Sequence, residues 1–399
     1  MLHHLLKLIW KRKSRNMMLS LEILLAFMVV FAIAAFAVRN YQLQQMPTGF
    51  AWRDQWSVII RNAQRIPNDA AMYDALKRAL LDLPEVEKVA FTAVAPYEMS
   101  RRMGFFSLPD GSNRVESDSM GSTDDFFEAM QMTPAQGRWF SKADDGADAT
   151  PVVINRLLAD KLFPGTPAVG QLFIDAEGMA IGKPQRYRVS AVVEQYRTNG
   201  EYMDPVNVVL PRFVPGVNDD PPMIIMLRLK PGTPRAFEAR LSARLKREHN
   251  DWSFVISPLS ESRKSMQKLQ MLPLVIMSVI AAFLLLMVAF GLFGVLWQNT
   301  TQRIPEIGLR RALGADAGHI YRQIIAEQML LSSGAIAVAL VLLVQLPLTG
   351  VFGDGLNWPV FLTAAALSAG VIYLLSLLCS LYPGWRAARL SPTQALHYE

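Results

Sequence analysis

The histidines and the single cysteine are the side chains of this 399-residue sequence best suited to nucleophilic or metal chemistry. The five histidines are scattered, and none stands at ligand spacing from Cys379 or from a carboxylate. One cysteine excludes a zinc site built on several thiolates. His3-His4 could bind a metal ion, but a tail near the surface is the favoured interpretation. The sequence has no P-loop, dinucleotide-binding glycine motif, nucleophile elbow or zinc-protease motif. It therefore predicts a non-catalytic chain without cofactor-binding or metal-binding residues.

Acidic residues cluster at three places that could bind a cation. The clusters are Asp124-Asp125, Asp144-Asp145 with Asp148, and Asp219-Asp220. The middle cluster suggests calcium, but the further oxygen ligands and the closing glutamate of an EF-hand are missing. A solvated turn is the favoured interpretation.

Two further carboxylates stand within or beside long apolar runs. Glu22 is the one charge in the run from Leu19 to Val38, and Glu327 precedes the run that begins at Met329. Carboxylates inside a membrane are costly and are therefore functional candidates. Because both lie near the end of a run, capping of a helix start is the favoured alternative to a proton relay.

The segment from Arg303 to Ala315 has the strongest functional pattern. A proline stands just before an acid, basic residues follow on the next turns, and a glycine ends the segment, which predicts a short helix. Its apolar side could enter a groove on a partner protein, and a surface helix with positive charge explains the pattern equally well. The candidate residues are Glu306, Ile307, Gly308, Leu309, Arg310, Arg311, Leu313 and Gly314.

Four apolar runs predict the elements that hold these residues. The chain is 51% hydrophobic and only 19% charged, and a membrane helix needs about 20 apolar residues to cross about 30 Å of hydrocarbon. We predict membrane helices at 18–38, 272–297, 329–347 and 360–382, with Pro347 and Pro383 ending the last two. The other segments are an N-terminus at 1–17, a domain at 39–271, loops at 298–328 and 348–359, and a C-terminus at 383–399.

The distribution of charge predicts the orientation. Residues 40–270 contain 28 basic and 28 acidic residues, so the net charge of +6 comes from the segments that flank the apolar runs. Lysine and arginine are concentrated before the first run, between the second and third, and after the fourth. The positive-inside rule therefore places both termini and 298–328 in the cytoplasm and 40–271 outside, and it removes the support for nucleic-acid binding. A cleaved signal peptide ending at Ala35-Phe36-Ala37 is the alternative, but the apolar core is longer than usual, which favours an anchor.

The segment at 39–271 predicts a mixed α/β domain on a helical stalk. Apolar residues at helical spacing predict helices over 69–83 and 234–249, and each is followed by an apolar strand, at 86–94 and at 252–256. A further apolar strand at 223–229 precedes the second helix. The two units look like copies of one plan on either side of an insert at about 96–221. The stalk consists of 39–46, which continues the first membrane helix, and 259–270, which leads into the second.

Several of these segments resemble MacB/FtsX-type ABC transporter permeases. Residues from Glu306 to Ala315 are similar to the signature after the second membrane helix of that family, and Glu327 with the residues that follow is similar to the start of the third. Residues 383–396 resemble the proline-alanine-proline ending, although Pro305 stands where the family usually has a basic or polar residue. The MacB-like periplasmic core is matched by Asp125-Phe126-Phe127, by Gly137-Arg138-Trp139-Phe140, and by residues 151–163 followed by Gly170-Gln171.

The resemblance implies a permease of the bacterial inner membrane whose ATP and magnesium are bound by an ATPase partner. Larger members carry a fused ATPase domain, whereas about 17 residues precede the first run here, so we expect a separate ATPase dimer. Residues 306–314 would couple that ATPase to the outer domain for export or efflux of a periplasmic substrate. A second permease copy or paralogue and a periplasmic adaptor are the further expected partners. An FtsX-like regulator of a periplasmic protein is the alternative; a membrane-anchored enzyme lacks a catalytic set.

Overall fold

The computed structural model describes residues 13–61, 68–180, 182, 184–218, 221–350 and 353–389. The predictions for His3-His4, for Asp219-Asp220 and for the C-terminal segment from residue 390 lie outside the described residues. The chain forms two compact units. The helical unit comprises the chain up to Gln42 and from Met271 onward, and the α/β unit comprises Leu43–Gln270.

Four long helices dominate the helical unit, and each is long and apolar enough to cross a membrane. They are α1 (Lys13–Gln45), α7 (Leu259–Gln302), α9 (Ala317–Leu343) and α11 (Trp358–Arg389). Short helices α8 (Ile304–Ala312) and α10 (Gln345–Thr349) and a 3₁₀ turn over Gly353–Leu356 connect them. Helix α1 ends at Gln45 and α7 begins at Leu259, so both helices include residues of the α/β unit. The predicted four-helix membrane architecture is confirmed.

The two prolines at the predicted helix ends have different effects. A proline has no N–H for the carbonyl four residues earlier, and for Pro347 that carbonyl belongs to Leu343, where α9 ends. Pro383 lies inside α11, which continues to Arg389 instead of ending at the proline. The described helix α9 also begins at Ala317, well before the apolar run at Met329, because Asp316 caps its first turn with a 3.0 Å hydrogen bond from the Gly318 N–H.

Helices α9 and α11 pack antiparallel through polar contacts between their apolar faces. The hydroxyls of Ser332 and Ser376 are 2.8 Å apart, and those of Ser333 and Tyr373 are also 2.8 Å apart. These pairs satisfy polar groups that would otherwise be exposed to hydrocarbon.

The small residues of these two helices do not all serve packing. Ala364 and Ser368 are completely buried, so they permit the close approach expected of small side chains. Gly334 and Gly370 have open space where a Cβ would stand, so their small size is not required within this unit.

The α/β unit contains two sheets. The four-stranded sheet is antiparallel, in the order β11-β1-β10-β2, with β1 (Gln55–Arg61), β2 (Val86–Thr92), β10 (Ile224–Leu229) and β11 (Ser253–Pro258). Helices α2 (Ala70–Leu81) and α6 (Phe237–Glu248) pack on it. In chain order, α2 stands between β1 and β2, and α6 stands between β10 and β11. Strands β1 and β10, the first strands of these two units, pair at the centre of the sheet. The pairs α2-β2 and α6-β11 match the two helix-then-strand units predicted from the sequence, and β1 is an additional strand that was not predicted.

The insert forms the second, seven-stranded sheet, in the order β5-β8-β6-β9-β4-β3-β7. Its strands are β3 (Met103–Ser107), β4 (Val115–Ser119), β5 (Gln136–Gly137), β6 (Thr150–Asn155), β7 (Leu172–Asp175), β8 (Arg186–Val193) and β9 (Val208–Pro211). Short helices α3 (Phe126–Ala129), α4 (Arg156–Leu162) and α5 (Ala176–Ala180) and a 3₁₀ turn over Lys142–Asp144 connect these strands. A further pairing of β7 with β8 closes six strands into a ring around an aromatic and aliphatic core.

Candidate functional site

Helix α8 begins after a one-residue break in the helical backbone at Arg303. Pro305 has no N–H to donate to the carbonyl of Thr301, so the hydrogen-bond ladder of α7 cannot continue unchanged through this point. The N–H of Ile307 donates to the Arg303 carbonyl at 2.9 Å and starts the new helix. The sequence thus turns one long helix into a membrane helix followed by a separate short one.

The end of α8 is closed by a glycine cap. Gly314 has a φ of +95°, in the left-handed region where a side chain would cause strain. The N–H of Ala315 donates to the Arg310 carbonyl at 3.0 Å, which is the long bond of a Schellman motif. This outcome agrees with the expectation that Gly314 ends the helix.

One apolar side of α8 is buried against its own chain. Ile304 and Ile307 are only 3% and 6% exposed, and Ile307 contacts Ile320 of α9 and Ala387 of α11. The structure therefore places the Ile307 side chain inside the helical unit, which differs from its expected place in a groove on a partner. Gly308 is buried beside it, and the Arg311 side chain lies outside what the structure describes.

The other apolar side of α8 is open. Leu309 and Leu313 are 57% and 80% exposed, and Pro305 is also exposed one turn earlier. These three residues, spaced at i, i+4 and i+8, form what we call the exposed ridge. Large apolar side chains projecting from a helix in this way are typical of a protein-binding surface.

A continuous set of polar contacts, here called the polar network, joins α8 to α9. Glu306 and Arg310 form an ion pair at 2.6 Å, and Arg310 donates to the Gln323 side-chain oxygen at 3.3 Å. Gln323 donates to Glu327 at 3.0 Å, and Glu327 accepts a 2.7 Å bond from Arg303. The Arg303 and Glu327 side chains are only 19% and 14% exposed, so solvent screens this pair little. The structure thus brings together three predicted site residues and adds Arg303 and Gln323.

The two membrane carboxylates have different surroundings, and neither caps the start of its own helix. Glu327 lies in the third turn of α9, and Glu22 lies nine residues after Lys13 in α1. The Glu22 carboxylate lies against Gly291 of α7, where a Cβ would collide with it. Among the described residues, none donates a hydrogen bond to Glu22, whereas Glu327 is paired.

A second candidate site lies in the α/β unit, in residues 195–203, which we call the clamp loop. The Arg197 side chain is buried and donates to four backbone carbonyls. Two belong to the C-terminal end of α1, Leu43 in its last turn at 2.8 Å and Met46 just after it at 3.1 Å. The others are those of Glu201 at 2.6 Å and Met203 at 2.7 Å. Arg197 therefore holds the end of α1 against the clamp loop.

The same loop holds the beginning of α7. The buried Glu201 carboxylate accepts hydrogen bonds from Arg263 at 2.5 Å and from Gln267 at 3.3 Å, both on α7. Tyr97 donates to the same carboxylate at 3.4 Å, and burial together with the Glu201 charge raises the pKa of the Tyr97 phenol. Because the Glu201 carboxylate is buried, breaking its pair with Arg263 is costly, since the carboxylate charge would remain unpaired.

Two glycines permit the close packing of the clamp loop. Gly49 and Gly200 both have positive φ, at +87° and +88°. A Cβ on Gly49 would collide with the Gln195 carbonyl, and a Cβ on Gly200 would meet the Tyr97 ring at 2.8 Å. These residues carry no recognisable pattern in the sequence, because the loop has no apolar periodicity and its partners are distant in sequence.

The described acidic clusters are paired with basic side chains, and Arg212 bridges the first cluster to the middle one. Asp144 pairs with Arg138 at 2.6 Å, and this guanidinium holds the pKa of the carboxyl below its usual range. The other described pairs are Asp124 and Asp145 with Arg212, Asp148 with Arg188, and Asp125 with Lys77. No group of three candidate metal ligands converges within the described ranges. A cleft of about 170 Å³ beside Arg212 is lined by both signs of charge.

Two family models match the chain. The model of the MacB-like periplasmic core domain matches residues 18–244, which is more than half of the chain. The model of the FtsX-like permease C-terminal region matches residues 278–392.

Curated relatives are similar over most of this chain. A macrolide export ATP-binding/permease protein MacB from Nitrobacter winogradskyi is 23% identical over 92% of the chain and 56% of the relative. A MacB from Chromobacterium violaceum is 26% identical over 71% of this chain and 44% of the relative. The pyoverdine export ATP-binding/permease protein PvdT from Pseudomonas putida is 25% identical over 72% of this chain and 44% of the relative. The chain therefore spans about half the length of the curated relatives it matches.

Solved structures are also similar to the α/β part. The periplasmic region of MacB from Actinobacillus actinomycetemcomitans covers 57% of this chain and 98% of its own, with a TM-score of 0.40 and 13% identity. The extracellular domain of YknZ from Gram-positive bacteria covers 50% of this chain and 99% of its own, with a TM-score of 0.35 and 12% identity. The two family models, in contrast, cover both the α/β unit and the membrane helices and confirm the resemblance seen in the sequence. The chain belongs to the MacB/FtsX-type family of ABC transporter permeases.

Proposed function

We propose that this chain is the permease subunit of an ABC complex in which ATP hydrolysis by an ATPase subunit moves the α/β unit. The observation that carries this proposal is the exposed ridge on α8. Its leucines are open on a helix whose opposite side is buried in the same chain. A helix that is fixed on one side and free on the other can transmit force from a bound partner.

The fixation of α8 determines where such a force goes. Ile307 packs against α9 and α11, and the polar network ties α8 to α9 through Gln323 and Glu327. A push on the exposed ridge therefore moves these helices together with α8 and does not simply bend a loose loop. Because interfaces packed in this way have discrete arrangements, a small displacement can select between two states.

Helix α7, which directly precedes α8, leads back to the contacts of the clamp loop. Helix α7 runs without a break from Leu259 to Gln302, and its first turns include Arg263, which is bound to Glu201. The other chain connection between the units, at the end of α1, is bound by Arg197. Both covalent connections are thus held by one loop, which is the arrangement expected of a mechanical transmitter.

We place the protein in the bacterial inner membrane with both termini and α8 in the cytoplasm and residues 40–271 outside. The charge distribution of the sequence supports this orientation. The complex would contain an ATPase dimer with ATP and magnesium, a second permease copy or paralogue, and a periplasmic adaptor. The names of the relatives mention export of a macrolide or of pyoverdine, so we propose export or efflux of a periplasmic substrate.

The test measures ATP turnover of the ATPase subunit, co-reconstituted with this chain in lipid nanodiscs. Glu306→Ala and Arg310→Ala should each reduce the stimulation of turnover by the permease without reducing membrane insertion. Arg322→Ala is the matched control, because this exposed arginine lies on α9 outside the polar network. Unchanged stimulation in both variants would contradict the coupling role of α8. Normal stimulation without any ATP-dependent export would favour the FtsX-like regulatory role.

A further inference from the structure

An exposed cluster of aromatic and arginine side chains lies where α7 and α11 leave the apolar part of the helical unit. Its aromatic rings stack on one another, and each of its arginines lies over one ring. Its members are Phe293, Trp297, Tyr382, Trp385, Arg386 and Arg389, and we call them the aromatic–arginine cluster. The proposed ATPase coupling does not use any of these residues.

The rings form a continuous stack between the two helices. Trp297 and Tyr382 are parallel within 6°, with ring centroids 5.8 Å apart. Phe293 lies 6.2 Å from each of them, and Trp385 lies 6.1 Å from Tyr382. Tyr382 and Trp385 remain 51% and 46% exposed, so the stack presents a surface to the surroundings and is not a closed core.

The two arginines lie over this stack. The Arg386 guanidinium carbon is 4.2 Å from the Trp297 ring centroid, and that of Arg389 is 4.4 Å from the Trp385 centroid. Both side chains are exposed, and no described carboxylate forms an ion pair with either. A guanidinium stacked on a ring keeps the N–H donors at its edge free, and their fork geometry matches a phosphate.

The position of the cluster along the helices corresponds to a membrane interface. Trp297 is the last residue of the second predicted membrane span, and Pro383 directly follows the fourth. Leu378 and Leu381, which precede the cluster on α11, are 56% and 37% exposed, as expected for contact with acyl chains. Arg386 and Arg389 lie about 5 and 9 Å beyond Pro383 at a rise of 1.5 Å per residue, which is the depth of lipid headgroups.

We propose that the aromatic–arginine cluster binds the headgroup of an anionic phospholipid. The two guanidinium groups would bind the phosphate, and the stacked rings would contact the glycerol region above the leucines. The leaflet is the cytoplasmic one if the proposed orientation holds, and this leaflet carries the negative surface that attracts basic residues. A lipid fits better than the ATPase, because the exposed surface continues into the apolar part of α11 and the ATPase already has the exposed ridge.

The experiment uses the full chain, delipidated in detergent, and native mass spectrometry with equal amounts of phosphatidylglycerol and phosphatidylcholine. The wild-type protein should retain phosphatidylglycerol with a preference of roughly 10- to 30-fold, as expected for two basic residues at an anionic surface. The pair Arg386→Gln and Arg389→Gln should remove most of this preference. The lysine pair, Arg386→Lys and Arg389→Lys, should keep an intermediate preference, because charge remains while the fork geometry is lost.

Matched controls separate this proposal from its alternatives. Arg322→Gln removes one exposed charge from α9, outside the cluster, and should leave the preference unchanged. A full preference in the glutamine pair, or an equal loss in Arg322→Gln, would overturn the proposal. Displacement of the lipid by glycerol 3-phosphate at equal concentration would instead identify a site for free phosphate. If the glutamine pair loses ATPase binding but keeps its preference for phosphatidylglycerol, the cluster belongs to the ATPase interface, and the proposal is overturned.

Discussion

The exposed ridge on α8 should supply much of the binding free energy between this chain and the ATPase. Leu309 and Leu313 are 57% and 80% exposed, and complete burial of a leucine is worth about 1.5–3 kcal/mol. Scaled by these fractions, burial of the two side chains contributes roughly 2–4 kcal/mol. Because alanine keeps the Cβ, the double variant Leu309→Ala/Leu313→Ala should lose about 2–3 kcal/mol, which weakens docking by about 30- to 140-fold.

The assay is a titration of the ATPase subunit against nanodiscs that contain the permease. The ATPase concentration at half-maximal stimulation of turnover should rise by the factor estimated above, while stimulation at saturating ATPase is largely kept. Leu348→Ala is the matched control, because this leucine is 68% exposed on α10, at the opposite end of α9 from the exposed ridge. It should leave the half-maximal concentration unchanged.

Ile307→Ala distinguishes docking from folding. This side chain is only 6% exposed and packs within the helical unit, so its truncation should lower thermal stability before it affects docking. The reasoning is refuted if the double leucine variant keeps a half-maximal concentration within about threefold of the wild type. That result would mean that the exposed leucines do not contact the ATPase.

Two further predictions concern the α/β unit. Glu201→Gln removes the buried charge partner of the partly exposed Arg263, so ATP-dependent export should fall while stimulated ATP turnover persists. Glu261→Gln is the control, because the Glu261 side chain is 56% exposed in its ion pair with Arg235. A loss of stimulated turnover in Glu201→Gln would contradict a role in transmission. The pKa of Asp144 is lowered by Arg138, so this carboxylate stabilises the fold above its ordinary pKa and loses that effect as the pH falls through the lowered value. In melting curves between pH 5 and pH 2.5, Asp144→Asn should therefore show a shallower loss of stability than the wild type, and an equal slope would be evidence against this pairing.

The elements that sequence reasoning predicted are those with strong local signals. Apolar runs with at most one charge identify the membrane helices, because the cost of charge in hydrocarbon dominates every other preference. In the α/β unit, Leu76 and Leu80 of α2 and Leu241 and Leu245 of α6 repeat at helical spacing, and all four are completely buried. Local periodicity was sufficient for these helices because each has one buried face.

The orientation of α8 could not be predicted in the same way. This helix has two apolar sides, one with Ile304 and Ile307 and the other with Leu309, which is continued by Leu313 just after the helix. Periodicity alone gives no reason to bury one and expose the other. The choice depends on Ile320 and Ala387, which come from two other helices. The membership of Arg303 and Gln323 in the polar network was missed for the same reason, although the i, i+4 spacing of Gln323 and Glu327 was a usable signal.

The contacts of the clamp loop are even harder to predict from the sequence than the orientation of α8. Glu201 and Arg263 are 62 residues apart, and Arg197 bonds a carbonyl 154 residues earlier. No local pattern encodes such pairs. The positive φ values at Gly49 and Gly200 are visible only as two ordinary glycines in the sequence. Long-range polar contacts of this kind leave no periodic signal in the sequence, so local patterns cannot predict them.

The bonds of the clamp loop also constrain how a mechanical signal could pass through it. If α1 and α7 moved independently, either the hydrogen bonds of Arg197 to Leu43 and Met46 or the ion pair of Glu201 with Arg263 would have to break. Arg197 and Glu201 are buried and Arg263 is partly exposed, and removing one partner of a buried charge pair costs up to about 3–5 kcal/mol. Arg197 also bonds the Glu201 carbonyl, so the two attachments share one short stretch of backbone. The lower-energy motion therefore carries the ends of both helices together with the clamp loop as one body.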